Sequence, residues 1–263
     1  MGTAHPLRDA PHPCWTLAGA VLLLSSADRA TLRAVSDLAA QLPDEVFAEL
    51  ADQYRYAVTR AEANYENNSA DEDCLTGGLS QSMADHVDGV LVHGGTNYSW
   101  ETKVKKFRGR GPGALEKKLG ADAIIELSIL DEGDDVVFRK SLLFQAKKNW
   151  RTKDASLVKQ VEKMEAVATG SIVVDYRETG YTAVRSEAVL GASGAPKKLA
   201  RGARESLANI LADAFLKCSI GGTNLYYDAA RGMLVRSDGH HMIARKFAVA
   251  RRMRSVVTKV PIR

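Results

Sequence analysis

Apolar residues at helical spacing predict three helices in the first third of the chain. From Ser26 the apolar positions step by three and four over residues 26–39, and a second series begins at Pro43 and continues until Asn67 and Asn68 interrupt it. A third series, over residues 71–87, repeats every four residues despite two adjacent glycines. The first part of the chain is therefore predicted to be helical.

The middle of the chain has the pattern of extended strands. Residues 121–130 are apolar and β-branched, residues 131–135 (DEGDD) have the composition of a turn, and residues 136–148 form a second extended segment. Together they predict an antiparallel hairpin centred on Gly133. The stretch before the hairpin, residues 104–120, is basic and glycine-rich, and it is predicted to be mostly loop.

Helices and strands alternate after the hairpin. Asp154 is placed to cap a helix that buries Leu157, Val161 and Met164. Short strands are predicted over residues 170–176 and 181–186, and a long amphipathic helix over residues 199–220. This order predicts an α/β fold in which a central mixed β-sheet is flanked by helices.

Composition places few further limits on the chain. Its 263 residues suit one large domain or a core with an added subdomain, and its three cysteines have neither zinc-type spacing nor the number of a disulfide framework. Residues 14–27 contain an apolar run that resembles a secretory signal but is too short to span a bilayer. We interpret the run as a buried N-terminal element of a cytoplasmic protein without membrane contact; the alternative, secretion, would place the protein elsewhere.

Charge divides the chain into two parts. Residues 1–75 carry five arginines, no lysine and twelve acidic residues, whereas the remainder carries 31 basic and 20 acidic residues. This split is typical either of a polyanion-binding segment or of a solvated basic face. The basic residues nearest the hairpin are the candidates for contacts with nucleic-acid phosphates: Lys103, Lys105, Lys106, Arg108 and Arg110 before it, and Lys148, Arg151 and Lys153 after it.

Three polar residues are predicted to converge at the open end of the hairpin. Asp122 begins the first strand, and Gln145 and Lys147 share one face near the end of the second. With the turn centred on Gly133, Asp122 lies 11 residues before the centre and Gln145 lies 12 after it, so their side chains can converge. A slip of one residue would turn the Asp122 side chain to the other face. A carboxylate, an amide oxygen and the Ala146 carbonyl are ligands that a hard divalent cation prefers, and a nearby lysine could orient an attacking water.

These residues resemble a known pattern. "GAD" (120–122), a hairpin and "FQAK" (144–147) are similar to the PD-(D/E)XK motif of restriction-endonuclease-like nucleases, in the branch where Gln replaces the acidic residue. The following helix, with Gln160, resembles the helix that supports the site in that branch. Glu72 in "DEDCLTGGL" and Glu116 in "EKKLGAD" each resemble the glutamate that completes such sites. Ala121 stands where the family name has proline, and the neutral Gln145 weakens the expected affinity for a metal.

The resemblance implies a fold, an activity and partners. It implies a restriction-endonuclease-like core at residues 69–190, after an acidic helical segment at residues 1–68 and before a C-terminal helix and basic tail at residues 191–263. The implied activity is hydrolysis of DNA phosphodiester bonds with Mg²⁺, or Mn²⁺ in its place, by an endonuclease of bacterial antiphage defence. Asp122, Gln145 and Ala146 would hold the metal, and Lys147, Glu72 or Glu116 would assist.

Two alternatives stay open. One is a catalytically inactive subunit that keeps the nuclease fold and binds double-stranded DNA or a partner protein of a defence system, with homo-oligomer formation also allowed. The other is a helical regulatory protein in which the hairpin has no catalytic role.

Overall fold

A computed structural model describes the backbone of residues 42–107, 114–130, 136–223, 225–228 and 233–236. Arg108, Arg110, the hairpin turn at residues 131–135, the predicted helix at residues 26–39, the apolar run at residues 14–27 and the basic tail lie outside these described residues.

Seven α-helices occur among the described residues. They are α1 (Asp44–Ala63), α2 (Tyr65–Asn68), α3 (Glu72–His86), α4 (Leu115–Leu119), α5 (Ala155–Val167), α6 (Ser186–Gly191) and α7 (Leu207–Asn209), the last of which continues as a π-helical turn over Ile210–Phe215. A 3₁₀ turn spans Pro196–Lys198. Across the described part of the chain, no helix is long and apolar enough to cross a membrane.

Seven strands form one mixed sheet in the order of the chain. They are β1 (Gly89–His93), β2 (Thr96–Lys106), β3 (Ala123–Leu130), β4 (Val136–Lys148), β5 (Ile172–Tyr176), β6 (Thr182–Arg185) and β7 (Arg204–Ser206). Only the β4–β5 pair is parallel, with α5 in the connection between them. A separate two-stranded sheet contains β8 (Leu225–Asp228) and β9 (Met233–Arg236). The α/β class, the mixed sheet and the flanking helices are thereby confirmed.

The register of the β3–β4 hairpin is offset by one residue from a turn symmetric about position 133, which would pair Asp122 with Phe144. Ala123 pairs with Phe144, so that Asp122, one residue before β3, lies opposite Gln145. The Asp122 N–H extends the ladder by donating to the Phe144 carbonyl at 2.9 Å. A β-bulge between Ile129 and Leu130 adjusts the pairing near the turn.

Each face of the sheet has its own hydrophobic core. Helices α1 and α3 and the π-helical turn cover one face, and α5 covers the other with part of β8 and β9. Val46, Leu50 and Tyr54 of α1 belong to the same buried cluster as Ile125 and Phe144 of the sheet. The predicted boundary between residues 68 and 69 therefore falls inside one hydrophobic core.

Three local predictions are wrong. Residues 104–106 belong to β2 rather than a loop, because β2 pairs with β3 over eight residues. The β1–β2 hairpin was not predicted, since β1 is a short segment of five residues and polar residues dominate β2. The predicted helix at residues 199–220 begins only at Leu207, where Ser206 accepts a hydrogen bond from the Asn209 N–H, and β7 occupies the preceding residues.

Candidate active site

A cleft of about 940 Å³ opens at the edge of the sheet where β3 begins and β4 ends. Seven of its eleven lining residues are ones that the sequence indicated: Glu72, Lys106, Glu116, Asp122, Gln145, Lys147 and Gln160. The other four are Asp71, Asp73, Thr76 and Phe107. Residues from α3, β2, α4, β4 and α5 therefore meet at one place.

A tight turn at Gly120 fixes the entry of Asp122 into the cleft. Gly120 ends α4 in the left-handed conformation, with φ at 71°. A Cβ atom added there would lie 2.0 Å from the Gln160 carbonyl oxygen, so the turn packs directly on the backbone of α5. Only glycine meets both requirements, which gives the first residue of "GAD" a structural role.

Asp122 binds the end of β4 through two neutral donors. Its Oδ2 atom accepts a hydrogen bond from the Gln145 side-chain amide at 2.5 Å and another from the Ala146 N–H at 2.6 Å. The Gln145 amide also donates to the Ala146 carbonyl at 3.2 Å. The carboxylate, the amide and the carbonyl that the sequence grouped as metal ligands are thus in contact.

The environment of Asp122 favours its protonated form. Burial, together with the charges of Glu116 and Glu72, raises the pKa of Asp122 to about 7, while the Ala146 N–H and Lys147 act in the opposite direction. A cation that enters the cleft would favour the ionised form of Asp122 and lower its pKa.

Both candidate glutamates line the cleft. Glu72 begins α3, where Asp71 caps the helix by accepting from the Cys74 N–H at 2.7 Å. The Glu72 Oε2 atom accepts from the Lys148 N–H at 2.8 Å, and burial raises the pKa of Glu72. Glu116 reaches the same cleft from α4. Glu72 is attached to β4 directly, whereas Glu116 affects Asp122 through its charge.

Lys147 has an acidic partner that the sequence did not indicate. Its Nζ atom lies 3.3 Å from Asp154 Oδ2, and the two side chains are only 17% and 27% exposed. Partial burial would raise the pKa of Asp154, but hydrogen bonds from Ser156 and Leu157 and the charge of Lys147 lower it overall. Asp154 is therefore held as an anion beside the lysine.

The residues at Asp122 fit a hard divalent cation in chemistry and placement. Gln145 Oε1 is buried and has no hydrogen-bond partner among the described residues. A half-turn of the Gln145 side-chain amide would bring its oxygen beside the Asp122 carboxylate and the Ala146 carbonyl. Three oxygens would then face one point. No group of three or more His, Cys, Asp or Glu side chains able to hold a metal occurs in the described part of the chain, so the fit depends on the amide and the carbonyl.

The predicted phosphate-binding residues separate into groups. Lys106 lines the cleft and pairs with Asp73 at 2.9 Å. Lys103 pairs with Glu101, and Lys105 lies over the Tyr227 ring on the sheet face opposite the Lys106 side chain. Contact of these three lysines with nucleic-acid phosphates stays a prediction.

The remaining predicted phosphate contacts lie at the end of β4 and after it. Lys148 turns away from the cleft and donates to the Ser69 carbonyl after α2. Lys148 lies on the strand face opposite Lys147, and this bond holds its side chain to another part of the protein. Arg151 and Lys153 are exposed, and Gln160 faces the cleft with a buried amide oxygen that has no partner among the described residues.

Sequence reasoning missed Asp71, Asp73, Thr76 and Phe107 in the cleft and Asp154 beside it. Asp71 and Asp73 flank Glu72 at a helix start, where acidic residues are common for reasons of helix stability alone.

No protein-family model, curated protein or solved structure matches this chain.

Proposed function

We propose that this protein is a metal-dependent nuclease with a restriction-endonuclease-like core. The observation that carries the proposal is the contact of Asp122 with Gln145 and Ala146 in a cleft that also contains Lys147. The mixed sheet with helices on both faces is the arrangement that the sequence resemblance implies.

The charge balance of the cleft supports dependence on a cation. Five carboxylates line it, from Asp71, Glu72, Asp73, Glu116 and Asp122, but only two lysines. A phosphate group would meet repulsion there unless positive charge were added first. The pKa of Asp122 is raised chiefly by burial, and the neighbouring Glu116 and Glu72 add to it.

Each residue has a chemical role in this proposal. Asp122, the Gln145 amide oxygen and the Ala146 carbonyl hold Mg²⁺, or Mn²⁺ in its place. The metal, when bound, polarises a phosphoryl oxygen and lowers the pKa of a water. Lys147 orients the attacking water and offsets negative charge that develops on the phosphate. Glu72 keeps the end of β4 in place through the Lys148 N–H.

The proposed substrate is DNA, and the proposed setting is antiphage defence in the bacterial cytoplasm. Both follow from the resemblance of "GAD" and "FQAK" to the Gln-containing branch of the family. A partner protein and a homo-oligomer are compatible with this setting.

A second candidate is a binding subunit that keeps the fold without cleavage. The observation that favours it is the neutral Gln145, whose N–H group rather than its oxygen faces Asp122 in the structure. Such a subunit would retain nucleic acid and hydrolyse nothing.

One experiment tests both candidates. Purified protein is incubated with supercoiled plasmid, linear DNA and RNA in Mg²⁺, Mn²⁺ or EDTA, beside Asp122→Ala and Lys147→Ala. Lys217→Ala is the matched control, because Lys217 is an exposed lysine outside both the cleft and the predicted phosphate contacts. The nuclease proposal expects metal-dependent cleavage that both cleft variants lose and the control retains.

Two results decide against the proposal. Cleavage that persists in Lys147→Ala would contradict the role of the lysine. Retention of DNA in a gel shift, without cleavage under any metal, would favour the binding subunit. Circular dichroism of each variant ensures that the losses are not unfolding.

A further inference from the structure

The Asp154 carboxylate joins two parts of the molecule through its two oxygen atoms. Oδ1 caps α5 by accepting from the Ser156 N–H at 2.8 Å and the Leu157 N–H at 2.9 Å. Oδ2 lies 3.3 Å from the Lys147 ammonium. A helix cap requires only one acceptor atom, so the second oxygen is available to the lysine.

The backbone of Asp154 is also fixed. Its N–H donates to the Gly194 carbonyl at 3.0 Å. A Cβ atom added at Gly194 would lie 2.4 Å from the Asp154 carbonyl oxygen, so the two segments touch closely. The carboxylate therefore has a defined position before any substrate arrives, as accurate placement of a catalytic group requires.

Lys147 is the cation shared by the acids of this region. Its charge opposes the effect of burial, which raises the pKa values of Asp122 and Glu72, and it helps to lower the pKa of Asp154, so the ammonium lies near all three carboxylates. A lysine has a flexible four-carbon stem and binds as a point charge, so its direction depends on its partner. Asp154 supplies the one ion pair that the described residues give to Lys147.

We propose that Asp154 is a positioning residue, whose Oδ2 holds the Lys147 ammonium at the cleft while Oδ1 fixes the carboxylate on the N-terminus of α5. The catalytic meaning of this position rests on the proposed nuclease function; the position of the lysine itself does not. The simpler alternative is that Asp154 is a helix cap alone.

Substitutions at Asp154 separate the two roles. Asp154→Asn keeps a capping oxygen and removes the charge, because Asn caps helices about as well as Asp. Asp154→Ser keeps a cap but is too short to reach the lysine. Ser156→Ala is the control, since Ser156 Oγ contacts Asp154 Oδ1 at 2.6 Å and has no role at Oδ2.

The first measurement requires no catalysis. The folded full-length protein is treated briefly with an amine-acylating reagent, and labelling of Lys147 is quantified by peptide mass spectrometry against exposed Lys103 in the same sample. We expect several-fold faster labelling of Lys147 in Asp154→Asn and Asp154→Ser, with unfolding temperatures near that of the wild type, and no change in Ser156→Ala. Unchanged labelling of Lys147 in both Asp154 variants would overturn the proposal.

The second measurement uses cleavage in a double-mutant cycle. Asp154→Asn should reduce kcat roughly tenfold to a hundredfold with little change in KM, because a displaced catalytic group affects the reaction more than binding. In the residual cleavage of a Lys147→Ala background, measured at high enzyme concentration, the same substitution should have no further effect, and a further loss of similar size would contradict action through the lysine. If the wild type cleaves nothing while labelling rises in Asp154→Asn, the nuclease proposal fails and the positioning of Lys147 stands.

Discussion

Two aspartates on the same face of the sheet, Asp175 buried and Asp122 partly buried, have opposite surroundings. Asp175 of β5 lies beside Lys147 in the parallel ladder and is 0% exposed. It accepts from the Trp150 N–H at 2.8 Å and pairs with Arg177 at 2.8 Å and Arg204 at 2.5 Å. Asp122, two strands away, receives its hydrogen bonds from the neutral Gln145 and Ala146 amides.

The difference separates a structural carboxylate from a candidate functional one. Two arginines and a backbone N–H compensate the charge of Asp175, as folding requires of a buried ion. Asp122 is surrounded by further acids, and its pKa of about 7 shows that its charge is incompletely compensated. Perturbed groups of this kind in a cleft are typical of functional sites.

Replacing Asp175 should have the largest effect on stability. Asp175→Asn leaves Arg177 and Arg204 without their anion in a buried setting, and we expect a loss of about 3–5 kcal/mol in the free energy of unfolding. Urea unfolding at neutral pH, followed by circular dichroism, measures it. The matched variant is Asp122→Asn, which should lose far less. Equal losses at the two aspartates would remove the distinction between them.

Gly120 tests how far the surroundings of Asp122 depend on the turn before it. Gly120→Ala forces a side chain into the left-handed region and onto the Gln160 carbonyl, so we expect a loss of about 2–3 kcal/mol and displacement of Asp122 from the cleft.

Gly202→Ala is the control for Gly120→Ala. Gly202 also has a positive φ, at 82°, but an added Cβ would meet nothing within 4 Å. It should lose only about 1 kcal/mol from backbone strain alone. Similar losses in urea unfolding would show that the contact with α5 is unimportant.

Part of the cleft could be predicted from the pattern of residues along short stretches of the sequence. The hairpin predicted that Asp122 and Gln145 would lie close together, but the β-bulge between Ile129 and Leu130 sets the offset of one residue that places them opposite each other. The cap of α5 at Asp154 was also predicted, because it depends only on residues that are neighbours in the sequence. Neither its second bond to Lys147 nor the pairing of Asp175 with Arg204 could be predicted, since both depend on how separate elements pack. The β1–β2 hairpin was missed because exposed polar residues interrupt the strand pattern.

The stability of the metal-free protein should depend on pH through Asp122. The pKa is raised from about 3.9 in an unfolded chain to about 7 in the folded state. The stability that protonated Asp122 contributes is therefore present at low pH and is lost as pH rises through about 7.

Asp122→Asn cannot ionise and should escape this loss. We expect the variant to be about 1–2 kcal/mol more stable than the wild type at pH 8, and close to it at pH 4. Urea unfolding in EDTA across this range measures the difference. A constant difference between pH 4 and pH 8 would contradict a titrating Asp122.

Mg²⁺ should produce the smallest effect on stability, and this effect should depend on Asp122 and not on Asp175. A cation that binds the folded state at ten times its dissociation constant stabilises by about 1.4 kcal/mol, which raises Tm by roughly 3–6 °C in a chain of this size. The shift should be larger at pH 8 than at pH 6, because protons compete for Asp122 at the lower pH.

Differential scanning fluorimetry with and without Mg²⁺ measures this shift in Tm. Asp122→Asn should lose most of it, whereas Lys103→Ala should keep it, because Lys103 lies outside the cleft. A shift that survives in Asp122→Asn would place the bound cation elsewhere in the chain. Asp122 would then be a buried acid without a cation, and its contrast with Asp175 would lose its functional meaning.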